Sequence, residues 1–322
     1  MPRQEPHEWL TSMRGKRCVK ILCGIRGVGK TSVMASWRDG LIAAGYPEER
    51  VVSIDAEDPV LRRLVTADDV LRYLATQLPP AGPVVLILEE PTSFHDYERT
   101  LGELLGQRRI DIYLTLSSRR VASEGLSGYL RGATAAYEIL PAKDGDGETS
   151  ERLRARWNEI LLRDVLSAKG VADGNIAERL TAFLADSVGE PISLRLTAAA
   201  ISPQAKVLSP NTVEAYLSAL EDAYVIERCY RWDPDLEEPL ARDYRVFFTD
   251  PGLCRECFGV VPDSERRVAM NLRWLDLRRE HGKVYLSKTV SGLDPAAFVV
   301  ADGRHVRKDA ERMASGQSCS EK

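Results

Sequence analysis

No apolar stretch in this chain approaches the roughly 18 uninterrupted residues of a membrane-spanning helix, so a helical membrane protein is not expected. The opening Met1-Pro-Arg-Gln-Glu-Pro-His7 also lacks the apolar core of a secretory signal, and the expected compartment is the cytoplasm. Cysteine is scarce. Its six copies, at 18, 23, 229, 254, 257 and 319, are too scattered for a disulfide scaffold. Cys254 and Cys257 make one C-x-x-C, but a structural zinc site needs a second pair. His7, His95, His281 and His305 fall at no ligand spacing, so the pair reads as two thiols on a short helix at 251–258. No sign of charge dominates. Lys and Arg number 44 against 48 Asp and Glu, a net charge of −4, which disfavours a dedicated basic nucleic-acid binder but not a local basic face. No fixed-period repeat occurs either. With 44% hydrophobic and 29% charged residues over 322 positions, the chain reads as globular, with about two domains.

What is present first is an alternation. Over residues 1–141, strand candidates at Cys18–Cys23, Val51–Asp55, Val84–Leu88, Ile112–Leu116 and Tyr137–Leu140 alternate with helix candidates. The helices are Lys30–Ala44, Ala67–Leu78, Phe94–Gly106 and Gly125–Arg131. Val84-Val-Leu-Ile-Leu88 is apolar throughout, as suits a strand buried on both faces. The rhythm predicts an α/β fold, a parallel sheet with helices on both faces. A polar, turn-rich stretch at 141–150 ends this domain. Residues 151–202 read as helical, and Ser209-Pro210 opens another helix. Two short strands near Tyr224–Tyr230 and Tyr244–Thr249 then give the order that ends a winged helix. A long helix at about 264–280, strands at Val284–Ser287 and Ala297–Ala301, and a polar tail from Asp302 complete the chain. The expected division is 1–141, a helical and winged-helix-like region at 142–262, and a small lobe at 263–322.

Gly24-Ile-Arg-Gly-Val-Gly29-Lys30-Thr31 fits G-x-x-x-x-G-K-[ST] at every fixed position. It follows a strand and opens a helix, the setting a P-loop requires. The glycines let backbone N–H groups turn inward around phosphates, and the helix N-terminus adds positive potential. Lys30 is expected on the β- and γ-phosphates and Thr31 on Mg²⁺. The expected ATP-binding set is Gly24, Ile25, Arg26, Gly27, Val28, Gly29, Lys30, Thr31 and Ser32, with Ser118.

Downstream, the apolar strand ends in Glu89-Glu90. Glu89 takes the metal-side position, with one methylene more than the usual Asp. Glu90 takes the position that activates water. The strand Asp111–Ser118 ends in Thr115, Ser117 and Ser118, polar groups placed to sense a γ-phosphate. Arg119, Arg120 and Arg131 are candidate finger arginines, in cis or across a subunit boundary.

Together these motifs resemble bacterial and archaeal AAA-type P-loop ATPases that carry a C-terminal domain of unknown function with a restriction-endonuclease-like core. The resemblance spans roughly 17–301. Ile54-Asp-Ala-Glu57-Asp58-Pro59 looks like the family's acidic second-strand motif, and Glu89-Glu90 with Tyr97-Glu98 like its Asp-Glu and Trp-Glu segment. Tyr216–Tyr224 and Phe248-Thr-Asp250-Pro-Gly252-Leu253 look like its winged-helix segment. There are departures. Ser118 stands where the family has a sensor Asn, and Gly128-Tyr129 where it has Gly-Arg. The nuclease-like strand, usually Glu-x-Asp-Phe, reads Pro295-Ala-Ala297-Phe298, so both carboxylates are lost and no nuclease activity is expected.

The leading expectation is an ATP-binding P-loop protein, a slow ATPase acting as a switch. Its C-terminal region would serve as an interaction module for an unknown protein or a second copy. The alternative is an ATP-regulated DNA-binding protein using the winged helix or the helix at 264–280. Residues 207–227 contain no Lys or Arg but do contain Glu214, Glu221, Asp222 and Glu227, which disfavours DNA contact there. The later helix offers Arg266, Arg267, Arg273, Arg278 and Arg279 among acidic neighbours.

Overall fold

The computed structural model describes residues 5–94, 96–141, 148–203, 207–233, 235–258, 264–287, 298–301 and 306–308. The chain forms two compact units. One is Gln4–Leu140 with Asp222–Tyr224, and the other holds Pro141–Glu221 and Val225–Lys322. Pro295 and Ala297, on which the nuclease expectation turns, lie outside the described residues.

The first unit runs α1 Pro6–Ser12, β1 Val19–Cys23, α2 Lys30–Ala43, β2 Val51–Asp55, α3 Ala67–Gln77, β3 Val84–Glu89, α4 Tyr97–Gly106, β4 Ile110–Leu116, α5 Leu126–Tyr129 and β5 Thr134–Glu138. Its sheet has the order β2-β3-β4-β1-β5, and every pairing is parallel. Successive strand residues point to opposite faces. Leu22, Val85, Ile87 and Tyr113 pack on one face with Leu10 of α1 and Met34, Trp37 and Leu41 of α2. The alternate positions Ile21, Leu86, Leu88 and Leu114 are buried as well, so both faces are covered. A parallel α/β sheet covered by helices follows from strands buried on both faces.

The largest boundary differences from the sequence reading are at β5 and α4. β5 occupies 134–138 instead of 137–140, because it pairs residue by residue with β1 from Val19↔Thr134 to Cys23↔Glu138. It is a half-buried edge strand of Thr-Ala-Ala-Tyr-Glu, which a hydrophobic scan passes over. α4 starts at Tyr97, after a 3₁₀ turn at Pro91–Ser93 and a left-handed Asp96 with φ of 52°.

The second unit runs α6 Ser150–Ile160, α7 Gly174–Asp186, α8 Leu194–Ile201, α9 Pro210–Asp222, β6 Ile226–Asp233, β7 Glu238–Phe248, α10 Pro251–Phe258, α11 Ser264–His281, β8 Val284–Leu286, β9 Phe298–Ala301 and β10 Val306–Lys308. Its sheet has the order β10-β9-β8-β6-β7. Strands from both sides of residue 262 therefore share one sheet, and the lobe expected from 263 is not a separate unit. The hairpin is longer than its apolar residues indicate, since Asp233↔Glu238 already pair. Val306–Lys308 forms an edge strand where a polar tail was expected.

Trp274 of α11 is fully buried and stacks on Phe247 with centroids 5.2 Å apart. Asn271 bonds both the N–H and the C=O of Phe248, at 2.8 and 2.9 Å, satisfying β7 beyond its ladder. Val213, Tyr216, Leu217, Ala219 and Leu220 bury one side of α9. Arg228 neutralises two of that helix's acids, donating to Glu214 at 2.6 Å and to Glu221 at 2.8 Å. Among the described residues, no helix is long and apolar enough to cross a membrane.

Candidate functional site

Gly24, Gly27 and Gly29 have φ of 147°, 82° and 95°, a backbone that favours glycine. At Gly24 a Cβ would stand 2.5 Å from the Ile139 carbonyl oxygen, so space as well as torsion demands glycine. Gly29 is the left-handed N-cap of α2, which makes Lys30 the first helical residue. The helix has no side-chain cap and no acid in its first turn. A lysine there places a cation at the positive end of the helix dipole, the sign that an incoming anion reverses.

The Lys30 side chain is 6% exposed. Its ammonium has three donors. They reach the carbonyls of Gly24 at 2.8 Å and Ile25 at 3.2 Å, and the Ser117 hydroxyl at 2.9 Å. Glu90 Oε1 lies 3.8 Å from the ammonium. The carboxylate of Glu90 is gripped by one residue, accepting from the Ser117 N–H at 3.0 Å and hydroxyl at 2.6 Å. Glu90 itself is left-handed, with φ of 45°, which turns it out of the β3 register. Glu89, the last residue of β3, accepts a hydrogen bond from the Thr31 hydroxyl. Asp55 sits beside Glu89 in the β2–β3 register.

Arg26, Gly27, Gly29, Lys30, Thr31 and Ser32 line a cleft of about 260 Å³ with Asp55, Glu57, Glu89, Glu90 and Ser117. Arg26 forms a two-pronged pair with Glu57, at 3.0 and 3.1 Å. Four carboxylates thus face two cations, the wrong balance for a bare polyanion. Desolvation raises the pKa of Glu89, against the Thr31 hydrogen bond. Desolvation raises that of Glu90 too, against the attraction of Lys30. A divalent cation fits this donor set, because the Thr31 hydroxyl and the Glu89 carboxylate are adjacent hard oxygens. Among the described residues no cluster of three or more His, Cys, Asp or Glu could hold a metal by itself. The protein offers a Mg²⁺ only part of its shell, as suits an ion that arrives with phosphates and water.

Glu90 accepts a proton only when ionised. Any turnover that depends on it should therefore fall on acidification at a pH above the ordinary glutamate value of about 4.3. A pH profile of ATP turnover checks this, and an acid limb at or below that value would contradict it.

Of the other residues singled out from the sequence, Ile25 is buried and serves through its carbonyl, while Val28 is half-buried. Ser118, expected at the nucleotide, is not among the cleft's lining residues. Its hydroxyl donates to Asp222 at 2.9 and 3.1 Å, and Asp222 also accepts from the N–H of Arg120 at 2.6 Å. Ser117 enters the cleft in its place, because the chain bends just after β4 and its neighbour turns the other way. Arg119 lies 4.7 Å over the Tyr224 ring and 3.6 Å from Glu138. Arg119, Arg120 and Arg131 are not among the residues lining the cleft. Asp222 carried no signal in the sequence, since it lies 104 residues from Ser118. Asp55 and Glu57 were legible as part of the acidic second-strand motif.

Residues 16–144 match the AAA domain family. The match covers the P-loop, Glu89, Glu90 and all five strands of the first sheet. Residues 138–264 match a domain of unknown function, DUF8612. An uncharacterized protein of Haemophilus influenzae is 21% identical over 306 residues, covering 84% of this chain and 76% of that protein. Solved structures align only distantly. Rif2 in complex with the Rap1 C-terminal domain is 10% identical with a TM-score of 0.32, over 47% of this chain and 56% of that one. A DNA polymerase III gamma-subunit-related protein of Thermotoga maritima is 12% identical with a TM-score of 0.34, over 68% and 100%. PCH-2 of C. elegans is 14% identical with a TM-score of 0.32, over 66% and 63%. Scores this low carry no functional weight. The AAA match and the parallel sheet mark the first unit as ATPase-like and nucleotide-binding in kind.

Proposed function

We propose that the chain binds ATP with Mg²⁺ in the P-loop cleft and hydrolyses it slowly, as a nucleotide-dependent switch. The observation that carries this reading is the buried Lys30 ammonium at the uncapped start of α2. Lys30 and the inward backbone of 24–29 hold the phosphate tail. Thr31 and Glu89 hold the metal, which when bound supplies charge neutralisation along the phosphates. Glu90 orients water and accepts its proton. Ser117 engages both oxygens of Glu90 and fixes the carboxylate's orientation, leaving each oxygen a further lone pair for water. Arg26 is the one arginine among the described lining residues, and Glu57 holds it.

We assign the second unit the role of an interaction module, for a protein partner or a second copy. Leu162, Leu196 and Val207 support this, being 67%, 71% and 89% exposed. DNA contact through α11 is less well supported. Arg278 donates to Glu227 at 3.0 Å, and Arg279 donates to the Pro141 carbonyl. Absence of nuclease activity is proposed on the sequence alone, from Pro295 and Ala297.

Phosphate release by purified protein at saturating Mg-ATP tests the reading. Glu90→Gln should lower turnover by roughly 100-fold, within the range for losing a general base, and leave nucleotide affinity within about threefold. Chelating Mg²⁺ with EDTA should abolish turnover. Unchanged turnover in Glu90→Gln would remove Glu90 from the proposed role.

A further inference from the structure

A second cavity, of about 220 Å³, opens at the end of the first sheet where its central strands β1, β3 and β4 begin. The P-loop cleft lies where those strands end, so the two are separate places on one unit. Arg14, Lys16, Arg17, Arg108 and Arg109 line this second cavity, with Asp111 as its one carboxylate. Asp111 is already neutralised. It pairs with the buried Lys20, and also accepts from the Gly15 N–H at 2.8 Å and the Tyr113 hydroxyl at 3.2 Å. Its charge is therefore not available to the five cations around it.

Those five make no ion pair among the described residues. Their contacts leave the charge in place. Arg14 lies 4.6 Å over the Tyr46 ring, Lys16 approaches the Met13 sulfur at 3.4 Å, and Arg109 donates to the Pro79 carbonyl at 2.7 Å. Elsewhere on this unit arginines are paired with acids, as in Arg26–Glu57, Arg38–Asp39, Arg72–Asp69 and Arg99–Asp68. Five uncompensated cations around one concavity, in a chain of net charge −4, form a local field of the opposite sign to the whole molecule.

We propose that this cavity is an anion site that takes the phosphodiester backbone of a nucleic-acid strand. A single phosphate group carries at most about two charges, too few to balance five cations spread over two loops. A strand supplies a row of phosphates, one for the concavity and its neighbours for Arg14, Arg17 and Arg108 on the exposed rim. Four of the five cations are arginines, whose planar fork fits phosphate oxygens in pairs. Contacts of this kind read the backbone and not the bases, so binding is sequence-independent and salt-sensitive.

The test is fluorescence anisotropy of a labelled 20-nucleotide single-stranded DNA of mixed sequence, without ATP, from 50 to 200 mM salt. Wild type should bind, with a log–log salt slope of about −2 to −3.5 for three to five phosphates. Arg14→Glu/Arg17→Glu/Arg108→Glu should weaken binding by roughly tenfold or more while keeping the wild-type melting temperature. The same positions changed to Gln guard against misfolding and should lose affinity in the same direction. Lys30→Ala should bind the strand as wild type does. The proposal is overturned by any of four results: no wild-type binding at 50 mM salt, equal binding by the charge variants, loss of strand binding in Lys30→Ala, or displacement by tripolyphosphate at equal phosphate concentration. The last would make the cavity a small-anion site. Failure of ATP binding would leave this result untouched, because no arm uses the nucleotide.

Discussion

Lys30→Ala is expected to weaken Mg-ATP binding by roughly ten- to 150-fold, since a charge-assisted contact to phosphate contributes about 1.5–3 kcal/mol. The loss is not only that of a surface charge. Lys30 is 6% exposed and already desolvated, so little further dehydration opposes its contact with phosphate. Without it, the cleft keeps four carboxylates and one arginine, itself held by Glu57. The same change leaves the carbonyls of Gly24 and Ile25 and the Ser117 hydroxyl without this donor, so stability is followed beside affinity. Isothermal titration of both proteins with Mg-ATP checks this, beside a thermal melt. Equal affinities would move the nucleotide out of this cleft.

The second large effect concerns stability. Lys20 is the second residue of the buried β1, 1% exposed, with its ammonium on Asp111. Removing one member of such a pair leaves the other charge uncompensated, and Lys20→Ala should cost about 3 kcal/mol, the low end for buried pairs, because Asp111 keeps two other donors. For a unit of this size that is a fall in melting temperature of roughly 10 °C. Lys20→Met/Asp111→Asn removes both charges and keeps the apolar stem. It should be more stable than Lys20→Met alone. Denaturant midpoints check this, and a double variant no better than the single one would show that the pair is not what holds this strand.

How far the sequence could be read depended on what forced each feature. The P-loop was legible because its constraint is local: torsions at Gly24, Gly27 and Gly29 restrict the residue type directly. β3 was legible because burial on both faces demands an unbroken apolar run. β5 was displaced by three residues in the sequence reading, since a half-buried edge strand needs no such run. The polar half of the β6–β7 hairpin was missed for the same reason, because backbone pairing of Arg231 and Trp232 does not require apolar side chains. At the site, Glu89 and Glu90 follow from the end of a strand. Choosing between Ser117 and Ser118 depended on which way the chain bends beyond β4. Only the fold brings Asp222 against Ser118, and nothing in a separation of 104 positions announces it.

A crystal structure of the chain with Mg²⁺ and a non-hydrolysable ATP analogue tests the central claim most directly. The account predicts the phosphates against residues 24–31, with the Lys30 ammonium moved from the carbonyls of Gly24 and Ile25 to a phosphate oxygen. The direct Thr31–Glu89 hydrogen bond should be replaced by a metal between the two. An empty cleft at saturating analogue, or a nucleotide bound with Lys30 still on both carbonyls, would contradict it.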